Sequence, residues 1–308
     1  MTLDLKPIRL ARLAHVYYTH NDLSAASQFR TDFGFQKLTQ TVSPTTGQRT
    51  IYYCGTTTQQ PFVYCAREGP EDAFSGAAFV VESREDLDYA AKALPGATGV
   101  VDLEAEGVHE GGLCLYFPRS RWRYDFVCVL DFSFPPLLLL TAPCWLRWTG
   151  RLKPMEKHRP GNCTQRFKPG PAPVHKLGHF GMCVTDFARA YEFYTTRFNF
   201  KPSDPIHGEA GNVTAFLHLD RGRELVGHHC FFLFGGPKSH VDHSSFETHD
   251  FDTQLLGHHW LREFDPPQFI LEHYVDGDMV DETYPVHCSR ASPDNLHVWG
   301  ESLVLFSY

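Results

Sequence analysis

The chain repeats itself across its two halves, and the repeat decides most of what it can fold into. The segment from Arg12 to Phe35, RLAHVYYTHNDLSAASQFRTDFGF, aligns with Lys176 to Phe200, KLGHFGMCVTDFARAYEFYTTRFNF. His15 falls on His179, Asp22 on Asp186, Leu23 on Phe187, Ala26 on Ala190 and Phe29 on Phe193; one inserted residue later, Phe33 and Phe35 fall on Phe198 and Phe200. Such self-similarity marks tandem copies of one supersecondary unit. In each copy a short apolar strand ends at a polar residue expected to cap a helix, Asn21 or Thr185. The helix is amphipathic, with Phe187, Ala190, Tyr191 and Tyr194 on one face of the second copy. Short β-rich runs follow: TIYYCG and PFVYCA in the first half, NVTAFLHLD and HHCFFLF in the second. The unit reads β-α-β-β-β.

A second, weaker unit closes each half. SGAAFVVESREDLDYAAKAL, from Ser75 to Leu94, lines up with VDHSSFETHDFDTQLLGHHWL, from Val241 to Leu261, each a strand, a capped start and a helix. Four units paired into two domains imply an α+β fold. Residues 1–150 form the expected N-terminal domain, 175–285 the C-terminal domain and 286–308 a tail, with the Pro- and Gly-rich stretch 151–174 as linker.

Composition excludes several classes of function. The net charge is −8, and Lys and Arg are scattered, so the concentrated basic face a nucleic acid requires is absent. Nine cysteines without a Cys-x-x-Cys pair, and no signal-peptide start after Met1, suggest reduced thiols in a cytoplasmic protein rather than a disulfide framework. The run FVCVLDFSFPPLLLLTAPCWL, Phe126 to Leu146, is long enough to cross a bilayer, but Asp131 and Pro135-Pro136 interrupt it, so no membrane span is expected. The 18 histidines are unusual and supply material for a metal site.

Tandem β-α-β-β-β units with a His in the first strand resemble the vicinal-oxygen-chelate superfamily of glyoxalases, bleomycin-resistance proteins and type I extradiol dioxygenases. Four units with the metal pattern only in the C-terminal pair are most similar to the extradiol branch, in particular its fungal catechol-cleaving and trihydroxytoluene oxygenase-like members. The resemblance implies three metal ligands. The first is His179, in Gly178-His179-Phe180; the second is His243, in a His-x-x-x-Glu pattern ending at Glu247. The third is Glu272, six residues after Pro266 of Asp265-Pro266, where the family has an Asp-Pro-x-Gly turn. It further implies His229 as the acid–base residue, and His228 and Tyr274 as substrate-binding residues. Two neutral imidazoles and one carboxylate suit Fe(II), with Mn(II) as the alternative ion, and leave positions open for a bidentate catecholate and O2. Bringing both reactants into one coordination sphere supplies proximity. The expected partners are a catecholic small molecule and O2, and a homo-oligomer is compatible with the sequence.

Taken singly, a His in a strand is more often structural than a ligand; the register of His179 and His243 in two copies of one unit favours ligation. His273 points to the opposite face of its strand from Glu272. His297 and Glu301 compete with Glu272 for the third position, and His240 lies outside the His-x-x-x-Glu register. In the first half His15 keeps the first ligand's place, but Gly76 stands where His243 would, so a single metal per chain is expected.

The sequence departs from the family pattern twice. Leu261-Arg-Glu-Phe264 runs almost directly into Asp265-Pro266, so a pocket strand is expected to be missing from the fourth unit. Residues 119–152 do not offer an obvious partner strand after LCLYF, Leu113 to Phe117; a true insertion and a translated unspliced segment both fit that run. Extradiol cleavage of a catecholic ring is the expected function. Its rivals are a glyoxalase-type metal-dependent isomerase or lyase, against which the four units and the His228-His229 pair argue, and a catalytically impaired binding protein, which the missing strand favours.

Overall fold

The structure is a computed structural model that describes residues 6–44, 46–57, 60–94, 96–102, 113–118, 125–130, 171–209, 211–248, 260–274 and 277–290. In the first half the elements are β1 (Leu10–His20), α1 (Leu23–Phe33), β2 (Gln36–Val42), β3 (Arg49–Cys54), β4 (Tyr64–Glu68), β5 (Ala73–Val81), α2 (Arg84–Ala93), β6 (Val101–Asp102), β7 (Leu113–Pro118) and β8 (Asp125–Leu130). In the second they are β9 (Val174–Val184), α3 (Phe187–Arg197), β10 (Phe200–Gly208), β11 (Gly211–Leu219), β12 (Val226–Gly227), β13 (Phe231–Gly235), β14 (His240–Thr248), β15 (Trp260–Phe264), β16 (Ile270–Tyr274), β17 (Met279–Val280) and β18 (Ser289–Arg290).

The helices start where a carboxylate or hydroxyl can accept orphan N–H groups. Asp22 accepts from Ser24 and Ala25 at the head of α1, and Asp186 from Arg189 at the head of α3. The caps are thus one residue later than Asn21 and Thr185, because the Asp side chains reach back to those amides. The apolar face of α3 is as expected, with Ala190 and Tyr194 buried and Phe187 and Tyr191 packed against the core.

Among the described residues the strands form two mixed eight-stranded sheets and a two-stranded ribbon of β12 and β17. The first sheet runs β2-β3-β4-β1-β5-β8-β7-β6 and the second β15-β16-β14-β9-β13-β11-β10-β18. Reversed, the second order matches the first at seven strands, with β18 and β6 as the unmatched ends: the opening strands of paired units, β1 with β5 and β9 with β14, lie antiparallel at the centre. Four β-α-β-β-β units in an α+β arrangement account for this, with the fourth helix position falling in residues 249–259, outside the described set.

Two expectations need correction. The second unit does have its partner strand: β8, from Asp125, pairs parallel with β5 and antiparallel with β7. Most of its residues open the apolar run that starts at Phe126, whose lack of alternation hid a strand bonded on both edges. Nor does the fourth unit pass straight from a helix to the Asp-Pro turn. Trp260–Phe264, whose first two residues close the segment read as helical, is strand β15, paired antiparallel with β16. It occupies the place of β7; no equivalent of β6 occurs among the described residues. The rest of the apolar run, residues 131–146, lies outside the described set, and no described helix is long and apolar enough to cross a membrane.

One hydrophobic core passes through both halves, joining Leu10, Val16, Phe33 and Phe79 to Phe180, Phe231 and Phe246. Phe35 meets Phe246 edge-on with centroids 4.7 Å apart. Buried amides cross the seam in both directions. Gln60 donates to the Leu177 carbonyl and accepts from the Leu177 N–H, while Asn199 accepts from Leu10 N–H and donates to Leu10 O. These pairs satisfy backbone groups that would otherwise be stranded in an apolar seam.

The turn into β16 carries local strain. Gln268 adopts φ +70, in the left-handed region, at the position where the family turn has Gly. A side chain there costs about 1 kcal/mol relative to Gly. Gln268 is exposed, so Gln268→Gly is expected to raise the unfolding free energy by roughly that amount, measured by denaturant titration. An unchanged or lower midpoint would mean that the turn tolerates Gln without strain.

Candidate metal centre

Register brings the site together. In the antiparallel pairing of β14 with β9, Ser245 lies opposite His179 and His243 opposite Gly181; in the parallel pairing with β16, Ser245 lies beside Glu272. His179 and His243 are therefore diagonal neighbours on one face, and Glu272 completes a row through Ser245. Two β-bulges set that face. Gly178 is an extra residue between Leu177, which pairs with Phe246, and His179, which pairs with Ser245. Asp242 is an extra residue between Val241 and His243. The first bulge lets Leu177 enter the core while His179 turns to the site, although simple alternation would put both on one face.

The three side chains are buried, and their candidate ligand atoms lie within 4.8 Å of one another. His179 Nε2 is 3.1 Å from His243 Nε2, and Glu272 Oε2 is 3.6 Å and 3.7 Å from the two. Two donors about 2.1 Å from a shared ion are roughly 3.0–3.5 Å apart for angles between square and tetrahedral; the imidazole pair falls in that range, and Glu272, slightly farther out, would close on one small divalent cation by a small side-chain movement. The donor chemistry agrees: two neutral imidazoles and a carboxylate are the set that suits a first-row metal with open positions. His243 Nδ1–H donates to Asp242 Oδ2 at 2.7 Å, which leaves Nε2 bare toward the other donors.

Glycines make the room. A Cβ on Gly178 would lie 1.9 Å from the Tyr274 hydroxyl oxygen, so the Gly-His-Phe context allows Tyr274 to pack beside His179. A Cβ on Gly181 would lie 2.7 Å from Phe232 Cδ1 and 3.1 Å from His243 Cε1. Tyr274 is buried, its ring centroid 5.5 Å from that of His179, and its hydroxyl donates to Glu247 Oε2, which also pairs with Lys176. Glu247 thus serves Lys176 and Tyr274 rather than the donor cluster.

His229 sits beside the cluster, its ring 4.2 Å from that of His179. Burial, and then the neighbouring His179, His228 and His243, hold its pKa well below the ordinary value, so the ring is neutral rather than poised near pH 7. His228 contacts His229 through Nδ1 at 3.2 Å and Asp204 through Nε2 at 3.0 Å. His273 faces away from Glu272, as alternation requires, and burial brings its pKa down to about 4. His240 is exposed and bonds the Lys238 carbonyl. The rivals His297 and Glu301 lie outside the described residues. Sequence reading missed Asp242 and Gly181; an acidic residue directly before a candidate ligand His was the available signal for the first.

The first half repeats the sheet but not the donors. Its bulges fall at Ala14 and Ser75, in the places of Gly178 and Asp242. In the same register His15, Gly76 and Val127 stand where the second half has His179, His243 and Glu272. Gly76 has φ +131, a conformation that a His would adopt only under strain. Phe62 and Tyr17 pack on His15 at 4.3 Å and 4.7 Å, in a cluster with Tyr52 and Cys65 that fills the space.

Residues 176–275 match the sequence model of the Glyoxalase/Bleomycin resistance protein/Dioxygenase superfamily. Three solved structures illustrate the fold likeness. Homoprotocatechuate 2,3-dioxygenase from Brevibacterium fuscum, in an anaerobic complex with 3,4-dihydroxyphenylacetate, aligns with TM-score 0.66 and 16% identity over 94% of this chain and 88% of that one. The Arthrobacter globiformis homoprotocatechuate 2,3-dioxygenase gives 0.67 and 16%, covering 94% and 87%. A Mn(II)-bound glyoxalase from Novosphingobium aromaticivorans gives 0.66 and 16%, covering 95% and 91%. None of the curated proteins matches the sequence. The match spans the second half alone, and the likeness to the solved structures shows that the chain has the vicinal-oxygen-chelate fold.

Metal analysis should therefore find close to one ion per chain. His15→Ala is expected to leave metal content unchanged, whereas His179→Ala and His243→Ala should weaken binding by about tenfold to a hundredfold or more. A stoichiometry near two would show that the first half also binds. Gly181→Ala should weaken binding as well, since the new methyl displaces either Phe232 or His243; isothermal titration of the variant reads this directly.

Proposed function

We propose that this chain is an Fe(II)-dependent extradiol dioxygenase that cleaves a catecholic ring. The observation that carries the proposal is the convergence of His179, His243 and Glu272 on one buried point with His229 alongside. The three would hold the ion from one side, with the charge of a single carboxylate, and Asp242 would keep His243 in the tautomer that presents Nε2. Bound there, Fe(II) supplies a common coordination sphere for catecholate and O2.

The remaining chemistry falls to side chains. His228 Nε2 lies 3.0 Å from Asp204 Oδ2 and its Nδ1 lies 3.2 Å from Nδ1 of His229; with Asp204 favouring a proton on His228 Nε2, the Nδ1–H of His229 donates to His228 Nδ1. His229 Nε2 then carries a lone pair, as a group that takes a proton from a catechol hydroxyl must. Burial keeps that ring neutral, so the lone pair is unprotonated. His228, tied to both His229 and Asp204, orients the base. Tyr274, beside His179, is the polar group assigned to substrate contact.

A second reading, a metal-dependent isomerase or lyase of glyoxalase type, has the support of an equal TM-score to the Mn(II) glyoxalase. The two differ in oxygen demand. Anaerobically Fe(II)-loaded protein, given a panel of catechols and then air, should consume O2 in step with formation of a yellow ring-opened product. Turnover of a substrate without O2 uptake would favour the isomerase reading, and no turnover on any catechol would sink the proposal. His229→Asn should lower kcat by about 100-fold or more with metal content unchanged, the loss typical of a missing acid–base group.

A further inference from the structure

We propose that Arg30, on α1 of the first half, is a positioning residue for Glu272 in the second, acting through Asp265. The inference rests on reading Glu272 as a metal ligand. Arg30 Nη2 donates to Asp265 Oδ2 at 2.6 Å, and both side chains are fully buried. The other oxygen, Asp265 Oδ1, accepts the N–H of Phe269 at 2.7 Å, while Asp265 N–H donates to Phe269 O and Gln268 N–H donates to Asp265 O. The whole turn closes on Asp265, and β16 begins at the next residue, Ile270.

The same helix grips the strand again beyond the ligand. His273 Nε2–H donates to the Phe33 carbonyl at 2.8 Å, and its ring stacks on Phe33 at 3.7 Å. Glu272 and His273 face opposite ways, so the contact that holds His273 against α1 also sets how far Glu272 projects toward His179 and His243. Arg30 before the ligand and Phe33 after it thus make α1 the mount for the strand. Tyr64 accepts a further hydrogen bond from Arg30 Nη2, and the Tyr64 ring lies under the guanidinium at 4.5 Å, which keeps the Arg from swinging away. A carboxylate ligand must be held to within a few tenths of an ångström, and a metal-free half supplies that constraint here.

Glue between halves is the competing role, and Gln60 provides the control because it crosses the seam without touching the turn. The full chain would be titrated with Co(II), reading dissociation constant and visible d–d absorption, with thermal unfolding in parallel. Arg30→Lys and Asp265→Asn are expected to weaken Co(II) binding about tenfold or more and alter the d–d bands. Gln60→Ala should lower the melting temperature with affinity and bands unchanged. In a Glu272→Ala background, Asp265→Asn should cost no further affinity. Wild-type affinity and bands in folded Arg30→Lys and Asp265→Asn would overturn the proposal, as would failure of both to fold, which would make the pair a fold determinant only. Should one fail to fold, the other decides. If Glu272→Ala itself left Co(II) affinity unchanged, the ligand assignment would fall instead, a distinguishable result.

Discussion

Two β-bulges between adjacent central strands are the constraint on which the site depends. A regular antiparallel pair would send Leu177 and His179 to the same face, and one of them would be misplaced. The extra residue at Gly178 separates them, Leu177 to the core opposite Phe246 and His179 to the donor cluster opposite Ser245. Asp242 does the equivalent beside His243 and also supplies the carboxylate that orients it. Bulges are features of the unit, since Ala14 and Ser75 repeat them in the first half. What separates a metal site from a packed cluster is therefore not backbone shape but three side chains in a shared register.

The two halves divide the work on that basis. In the first, His15, Gly76 and Val127 leave no donor set, and aromatic packing around His15 occupies the cleft. This half contributes a continuous apolar core and the buried contacts of α1. The Arg30–Asp265 pair is costly to desolvate: Asp265 is hydrogen-bonded through both carboxylate oxygens, while Arg30 bonds through Nη2 and its buried Nε and Nη1 have no hydrogen-bond partner among the described residues. Removing one partner from such a pair typically costs about 3–5 kcal/mol, so the pair couples the stability of the seam to the shape of the turn.

Legibility in the sequence followed periodicity. The described helices and the strands with alternating or β-branched runs were readable; His179 and His243 were nominated by repeat register together with the family's motifs, and Glu272 by the family's Asp-Pro turn. β8 was not readable, since FVCVL lacks polar alternation and opens a longer, mostly apolar run. Trp260 and Leu261 were taken for the end of a helix because LGHHWL closes the segment aligned with α2, and their strand state depends on pairing with β16. The helix caps were off by one residue because Asn21 and Asp22, or Thr185 and Asp186, are both good caps by composition, and only side-chain reach distinguishes them.

By itself the sequence determined the β-α-β-β-β unit, its fourfold use, the asymmetry between the halves and a short list of donors, all of which follow from the order of residues along a strand or helix. Tertiary structure alone decided that three of those donors meet, that Glu247 turns to Lys176 and Tyr274, and that a helix from the other half holds the strand bearing Glu272. These are contacts between residues far apart in the chain. Their distances depend on strand register and on burial against another sheet, and neither quantity is written in any local stretch of sequence.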